Sequence, residues 1–223
     1  GFMKYIKRHA EATVNTLSKM FGAILVAGPR QVGKTTMLQR ITEGMNYATL
    51  DDLIVRAAAQ EQSGTFFKDN PPPVFIDEIQ HYPQFLTMLK FLRQEHRYRF
   101  ICSGSLLGIA LKKTVSVPVG SIIPRKMYQL DFEEFLIAND FGEDAIKHLR
   151  KSFEQKQSLP QEIHDKVLGF FKRYLLVGGM PDAVNEYLNS HNIVKVREVQ
   201  EAIRELYGVD ASRYEEDAAK KLY

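Results

Sequence analysis

Residues 28–36 read "GPRQVGKTT" and follow directly on the apolar run "AILVA" at residues 23–27. Gly28, Gly33, Lys34 and Thr35 fill every fixed position of G-x-x-x-x-G-K-[ST], with Pro29, Arg30, Gln31 and Val32 between them and Thr36 after. Each residue type has a physical reason. Glycines let the backbone curl so that successive N–H groups point inward at an anion, and a helix opening at Lys34 aims the positive end of its dipole at the same place. The Lys34 ammonium suits the β- and γ-phosphates of a nucleoside triphosphate, and the Thr35 hydroxyl suits Mg²⁺. A chance match in a chain of this length has a probability on the order of one per cent, from average composition.

Two stretches downstream complete the pattern. "VFIDE" at residues 74–78 is a short apolar run that ends in two carboxylates. An aspartate at the carboxyl end of a buried strand, Asp77, can hold Mg²⁺ through its water shell, and its neighbour Glu78 can orient and deprotonate an attacking water. Adjacent carboxylates repel each other, so the pair makes better sense beside a cation than as structural residues. "RFICSGS" at residues 99–105 then offers Ser103 and Ser105 at a strand end, suited to the γ-phosphate or the attacking water. A Ser/Gly turn that satisfies its own backbone is the other account of these serines. The spacing is not that of a hydrolase nucleophile elbow. Cys102 reads as a small buried hydrophobe.

The rest of the chain follows from periodicity and punctuation. An amphipathic helix is expected around residues 4–20, then strands at 23–27, 47–50, 74–77, 99–102 and, from "KMYQL", 126–130. Helices are expected from Lys34 to before Gly44, after Asp51-Asp52, and over "PQFLTMLKFLRQEHR". Asp131 opens "DFEE", a capping-box pattern at the start of a helix over residues 132–140. Strands alternating with helices predict an α/β fold with a parallel sheet covered on both faces. After about residue 140 helices take over, at 160–177, 181–188 and 193–207. A polar stretch at 140–157 sets the expected boundary between a first domain, 1–145, and a helical region, 146–223.

Composition narrows the classes. With 44% apolar and 26% charged residues the 223-residue chain has the make-up of a soluble globular protein. A net charge of +3 gives no electrostatic support for DNA binding, and the basic pairs along the chain read as solvated faces. One cysteine excludes an internal disulfide and any Cys-based zinc site; with no signal-peptide pattern, it fits the cytoplasm. The six histidines show no metal-ligand spacing. No apolar run approaches the ~20 residues of a membrane helix.

Taken in order, "GPRQVGKTT", "VFIDEIQ", "ICSGS", "PRKMYQLDFEEFL" and "YLLVGGMPDAV" resemble the AAA-type ATPases of prokaryotes, often described as archaeal-type, that carry a C-terminal domain of unknown function. These are additional-strand P-loop NTPases, and the likeness covers nearly the whole chain. It implies a three-layer sandwich followed by a helical lid, with residues 28–36 as Walker A, Asp77 and Glu78 as Walker B, and Ser103 or Ser105 at the sensor position. In the family an arginine follows a glycine shortly before the last core strand. Here the stretch reads "SVPVGSIIPRK", so the pair is interrupted and Arg125 is the nearest candidate for an arginine finger; a solvated loop charge explains it equally well. "GGMP", residues 178–181, resembles the element by which a helical lid meets the base, through Pro181. A plain helix–helix junction has the same residues. The family's C-terminal region runs on further, so the chain is expected to hold only its opening helices.

The resemblance implies an ATP-binding, ATP-hydrolysing protein with Mg²⁺, catalytic residues Lys34, Asp77, Glu78, Ser105 and Arg125, and metal ligands Thr35 and Asp77. The alternative from a different class is a slow ATP-gated switch, in which hydrolysis only resets a closed arrangement. A small-molecule kinase is disfavoured by Glu78 at the water-activating position. An unidentified protein partner, a homo-oligomer and a nucleic-acid-dependent role all stay open, the last without support from the near-neutral charge.

Overall fold

The uncharged hexapeptide "AILVAG" forms β1 (Ala23–Gly28), and all six of its residues are buried. A strand covered on both faces is what a continuous apolar run produces in a parallel sheet. The computed structural model describes residues 4–96, 98–105 and 122–220, which fall into two compact units, His9–Tyr128 and a second made of residues 4–8 with 129–220.

The first unit opens with α1 (His9–Phe21), followed by β1, α2 (Lys34–Ile41), β2 (Asn46–Thr49), α3 (Leu53–Glu61) and α4 (Ser63–Asp69). β3 (Val74–Asp77), a 3₁₀ turn (Ile79–His81), α5 (Phe85–His96), β4 (Phe100–Ser105) and β5 (Ile123–Lys126) follow among the described residues. The strands make a five-stranded sheet in the order β2-β3-β4-β1-β5, every pairing parallel. β4 is thus inserted between the strand that leads into the glycine loop and the strand that ends in Asp77. Ala23, Leu25, Val74, Ile76, Phe100 and Cys102 point to one face, where they pack with Phe66, Phe67, Phe85 and Leu89. Phe66 meets Phe85 edge-on, with ring centroids 5.1 Å apart. Ile24, Val26, Phe75 and Ile101, also buried, occupy the opposite face. The expected α/β sandwich with a parallel sheet is the fold observed.

Register decides what meets at the carboxyl end of this sheet. Thr49 lies opposite Asp77, Ile76 opposite Cys102, and Gly28 opposite Ser105. The ends of β1, β3 and β4 therefore finish side by side, the usual location for a ligand in an open α/β sheet.

In the second unit come α6 (Phe132–Ala138), α7 (Glu143–Glu154), α8 (Gln161–Val177), α9 (Pro181–Ser190) and α10 (Ile193–Lys220). Leu130, Phe135, Val177, Ala183, Val184, Tyr187 and Val196 form its core, with Ile6 from the N-terminal segment. The "DFEE" reading is realised in full: the Asp131 carboxylate accepts the Glu134 N–H at 2.8 Å, and Glu134 accepts the Asp131 N–H at 3.1 Å. The second Glu134 oxygen accepts from buried Arg8 Nε at 2.8 Å, which ties residues 4–8 into this unit.

Three expectations are corrected. The last strand is "IPRK" rather than "KMYQL". It pairs with β1 from Ile24↔Ile123 to Ala27↔Lys126, and as an edge strand it is mostly exposed and tolerates Pro124, so no apolar run marks it. The first helix begins at His9 rather than at residue 4. The polar stretch 140–157 holds a whole helix, α7, where a linker was expected, and the two compact units divide at Gln129. The "SVPVG" stretch invoked beside Arg125 lies outside the described residues.

Candidate functional site

The glycine loop is held from below by its own strand. An added Cβ at Gly28 would stand 2.0 Å from the Met127 carbonyl oxygen, so only glycine allows β1 to end this close to the chain leaving β5. Val32, 1% exposed, anchors the loop, while Gln31 (φ 59) and Gly33 (φ 96) take left-handed backbone that curls it. The first rung of α2 is Met37 N–H donating to Gly33 O, at 3.0 Å. The N–H groups of Lys34, Thr35 and Thr36 thus precede the helical ladder, and Gly33 has no side chain to cap them. That is an anion cradle at a helix N-terminus. Pro29 is half-buried at its rim, and Arg30 and Thr36 are exposed there. Lys34 is buried, and its ammonium donates to Gly28 O at 3.0 Å and to Pro29 O at 2.6 Å. Burial lowers its pKa from the ordinary lysine value, the Glu78 and Asp77 charges oppose that shift, and Arg30 adds to it.

Asp77 is the meeting point of the site. It is 2% exposed and accepts four hydrogen bonds. On one oxygen, Oδ2, the Thr35 hydroxyl donates at 2.8 Å and the Tyr47 hydroxyl at 3.1 Å. On Oδ1 the Glu78 N–H donates at 2.9 Å, together with the Ser103 hydroxyl. A buried carboxylate is thereby satisfied entirely by neutral donors. Thr35 and Asp77 present two hard oxygen atoms in contact with each other, a donor set that fits Mg²⁺. Burial and the Asp77 charge push the Tyr47 hydroxyl up to about 12, so it stays a donor. Burial, then Asp77, drives the Cys102 thiol upward as well, which keeps it protonated and unreactive.

Glu78 has left-handed backbone (φ 56, ψ 42), rare for a residue with a side chain. The turn carries the chain abruptly off β3 and leaves the Glu78 carboxylate half-buried, where it accepts from Gln80 Nε2. Gln80 Oε1 in turn accepts the Ser105 N–H at 3.0 Å.

Of the residues singled out in the sequence, Lys34, Thr35, Asp77, Glu78 and Ser103 come together at the strand ends. Ser105 adjoins them through its backbone N–H. Arg125 lies on the edge strand β5, exposed, with its Nη1 donating to Pro124 O at 3.1 Å, and among the described residues no contact joins it to the Asp77 cluster. Pro181 belongs to the other unit, at the first turn of α9. The glycines before it have a local reason: Gly178 takes φ 75, and a Cβ on Gly179 would meet Leu130 O at 2.1 Å. Leu130 N–H donates to Gly179 O at 2.7 Å in the same close approach.

Tyr47 and Gln80 escaped sequence reasoning. The signal for Gln80 was its place two residues after Glu78; for Tyr47 there was none short of the β2–β3 register.

Among known families, residues 21–136, just over half of the chain, match the AAA domain family. No curated protein matches the sequence. Among solved structures the fold is similar to the Walker-type ATPase PABY2304 of Pyrococcus abyssi, with a TM-score of 0.55 and 15% identity over 94% of this chain and 75% of that one. Domain III of the Thermotoga maritima replication initiation protein DnaA gives a TM-score of 0.41 at 17% identity, over 71% of this chain and 75% of that one. PCH-2 of C. elegans gives 0.47 at 14%, over 89% and 67%. At 15% identity the likeness to the Walker-type ATPase is one of fold.

Proposed function

The chain belongs to the AAA domain family, and from that premise we propose that it is a Mg²⁺-dependent ATPase working at the carboxyl ends of β1, β3 and β4. The observation that carries the reading is the convergence of Thr35 and Ser103 on the buried Asp77 carboxylate, beside an uncapped helix N-terminus. Backbone N–H groups of the loop and of the first turn of α2 bind the phosphates, and Lys34 exchanges its loop carbonyls for phosphate oxygens. Thr35 and Asp77 would hold Mg²⁺, which would supply positive charge against the phosphate oxygens. Glu78 orients the attacking water in line with the γ-phosphorus and takes its proton. Most of the rate enhancement in such a site comes from positioning and electrostatics. Ser103 holds the Asp77 carboxylate in place, and Ser105 acts through its N–H. Arg125, exposed on an edge strand, is the residue assigned the finger role.

The finer kinship, with archaeal-type ATPases that carry a C-terminal domain of unknown function, rests on the order of the five motifs. The same reading places the protein in the reducing cytoplasm, in keeping with its one buried thiol, with an unidentified protein partner and self-association still to be met. The division into two compact units favours a second reading, an ATP-gated switch that turns over slowly.

Binding of ATP and release of phosphate, measured with Mg²⁺ and with a chelator, test the proposal. Wild-type protein releases phosphate only with Mg²⁺, and Lys34→Ala loses ATP binding. Tight ATP binding by Lys34→Ala would refute the site. Turnover slower than once in several minutes, with a large ATP-dependent change in shape, would select the switch.

A further inference from the structure

We propose that Gln80 is a positioning residue for the Glu78 carboxylate, tying it through its side-chain amide to the end of β4. The inference rests on the ATPase reading above and adds a residue to it.

The turn that follows β3 sets where Gln80 lies. Glu78 enters left-handed backbone and the chain closes a 3₁₀ turn, with His81 N–H donating to Glu78 O at 3.1 Å. Ile79, fully buried, pins that turn to the core. Gln80, the next residue, is then held beside the end of β4. Its amide makes two contacts of opposite kind. The Ser105 N–H can only donate, so it must face Oε1, at 3.0 Å. The Glu78 carboxylate can only accept, so it faces Nε2. The chemistry of the two partners fixes the amide orientation.

The consequence for Glu78 is geometric. A glutamate side chain has three rotatable bonds, and a general base must hold its oxygen within hydrogen-bond reach of the water it activates. The Gln80 amide removes that freedom by fastening one carboxylate oxygen, Oε2, and leaves Oε1 for the water. The fastening point is well chosen. Ser105 is level with Gly28 on the neighbouring strand, the residue from which the phosphate loop begins. Through Gln80 the base on β3 is therefore referenced to β4 and so to the loop on β1, rather than to its own strained turn alone.

The test is ATP hydrolysis by Gln80→Leu and Gln80→Glu, each made in wild-type and Glu78→Gln backgrounds, with nucleotide affinity measured separately. Gln80→Leu lowers kcat by about 10- to 100-fold, the scale expected when a catalytic group is slightly misplaced, with the Kd for ATP within about threefold of wild type. Gln80→Glu is nearly isosteric and still accepts the Ser105 N–H, but it sets a carboxylate against Glu78. It lowers kcat at least as far, and it keeps the test decisive should the leucine variant fail to fold. In the Glu78→Gln background neither change reduces the residual turnover by more than about twofold, because two residues acting as one unit are not additive. Wild-type turnover in Gln80→Glu, proportional losses in both backgrounds, or a loss of affinity in place of kcat would overturn the role and leave the ATPase reading standing. Absence of turnover in the wild type, or unchanged turnover in Glu78→Gln, would overturn the ATPase reading and this inference with it.

Discussion

Four donors converge on Asp77, and they come from β2, from the turn after β3, from β4 and from the start of α2. A buried carboxylate satisfied so fully has one orientation, set before any ligand arrives. The two serines differ for this reason. Ser103 gives its hydroxyl to Asp77, whereas the contact from Ser105 is its backbone N–H. Ser103→Ala is expected to lower Mg²⁺-dependent turnover by about tenfold or more and Ser105→Ala by less; the reverse order in a steady-state phosphate assay would contradict the assignment. Glu78→Gln is expected to retain ATP binding while kcat falls by roughly 10²- to 10⁴-fold, the range for loss of a general base. Equilibrium binding and single-turnover hydrolysis separate the two effects.

Among the elements, those read correctly carried a strong local signal. β1 is an unbroken apolar run, β3 is apolar up to Asp77, and the helix at Phe132 was announced by its capping box. β5 was missed because its signal is tertiary: an exposed edge strand needs only a partner backbone. The α7 signal was local but thin, since Ile146, Leu149 and Phe153 recur at helical spacing within a stretch otherwise dominated by charge. Asp131→Ala removes the N-cap and is expected to cost about 1 kcal/mol by chemical denaturation. Gly179→Ala places a methyl against Leu130 O, which something must move to accommodate. A loss of about 1–3 kcal/mol is expected. An unchanged midpoint would show that the α8–α9 junction yields freely, and the double glycine would then need another explanation.

For the whole molecule, the helical unit depends on a segment remote in sequence. Arg8 and Glu134 form an ion pair with both side chains less than a tenth exposed. Breaking such a pair leaves a buried charge without its partner. Arg8→Met is expected to destabilise the protein by about 3–5 kcal/mol, and Arg8→Met with Glu134→Leu by less, since the double change removes both charges. Calorimetry on the two variants checks the order.

By itself the sequence determined the fold class and the phosphate loop with its acidic strand end, because these depend on apolar runs, glycines and charges a few residues apart. Only the tertiary structure decided which groups meet there. Inserting β4 between β1 and β3 puts Ser103 rather than Ser105 on Asp77 and lets Gln80 reach Ser105, while β2, on the other side of β3, brings in Tyr47. The physical reason is register: a one-residue slip in any of these strands would turn each of these side chains to the other face of the sheet, and no local pattern records which register the chain takes.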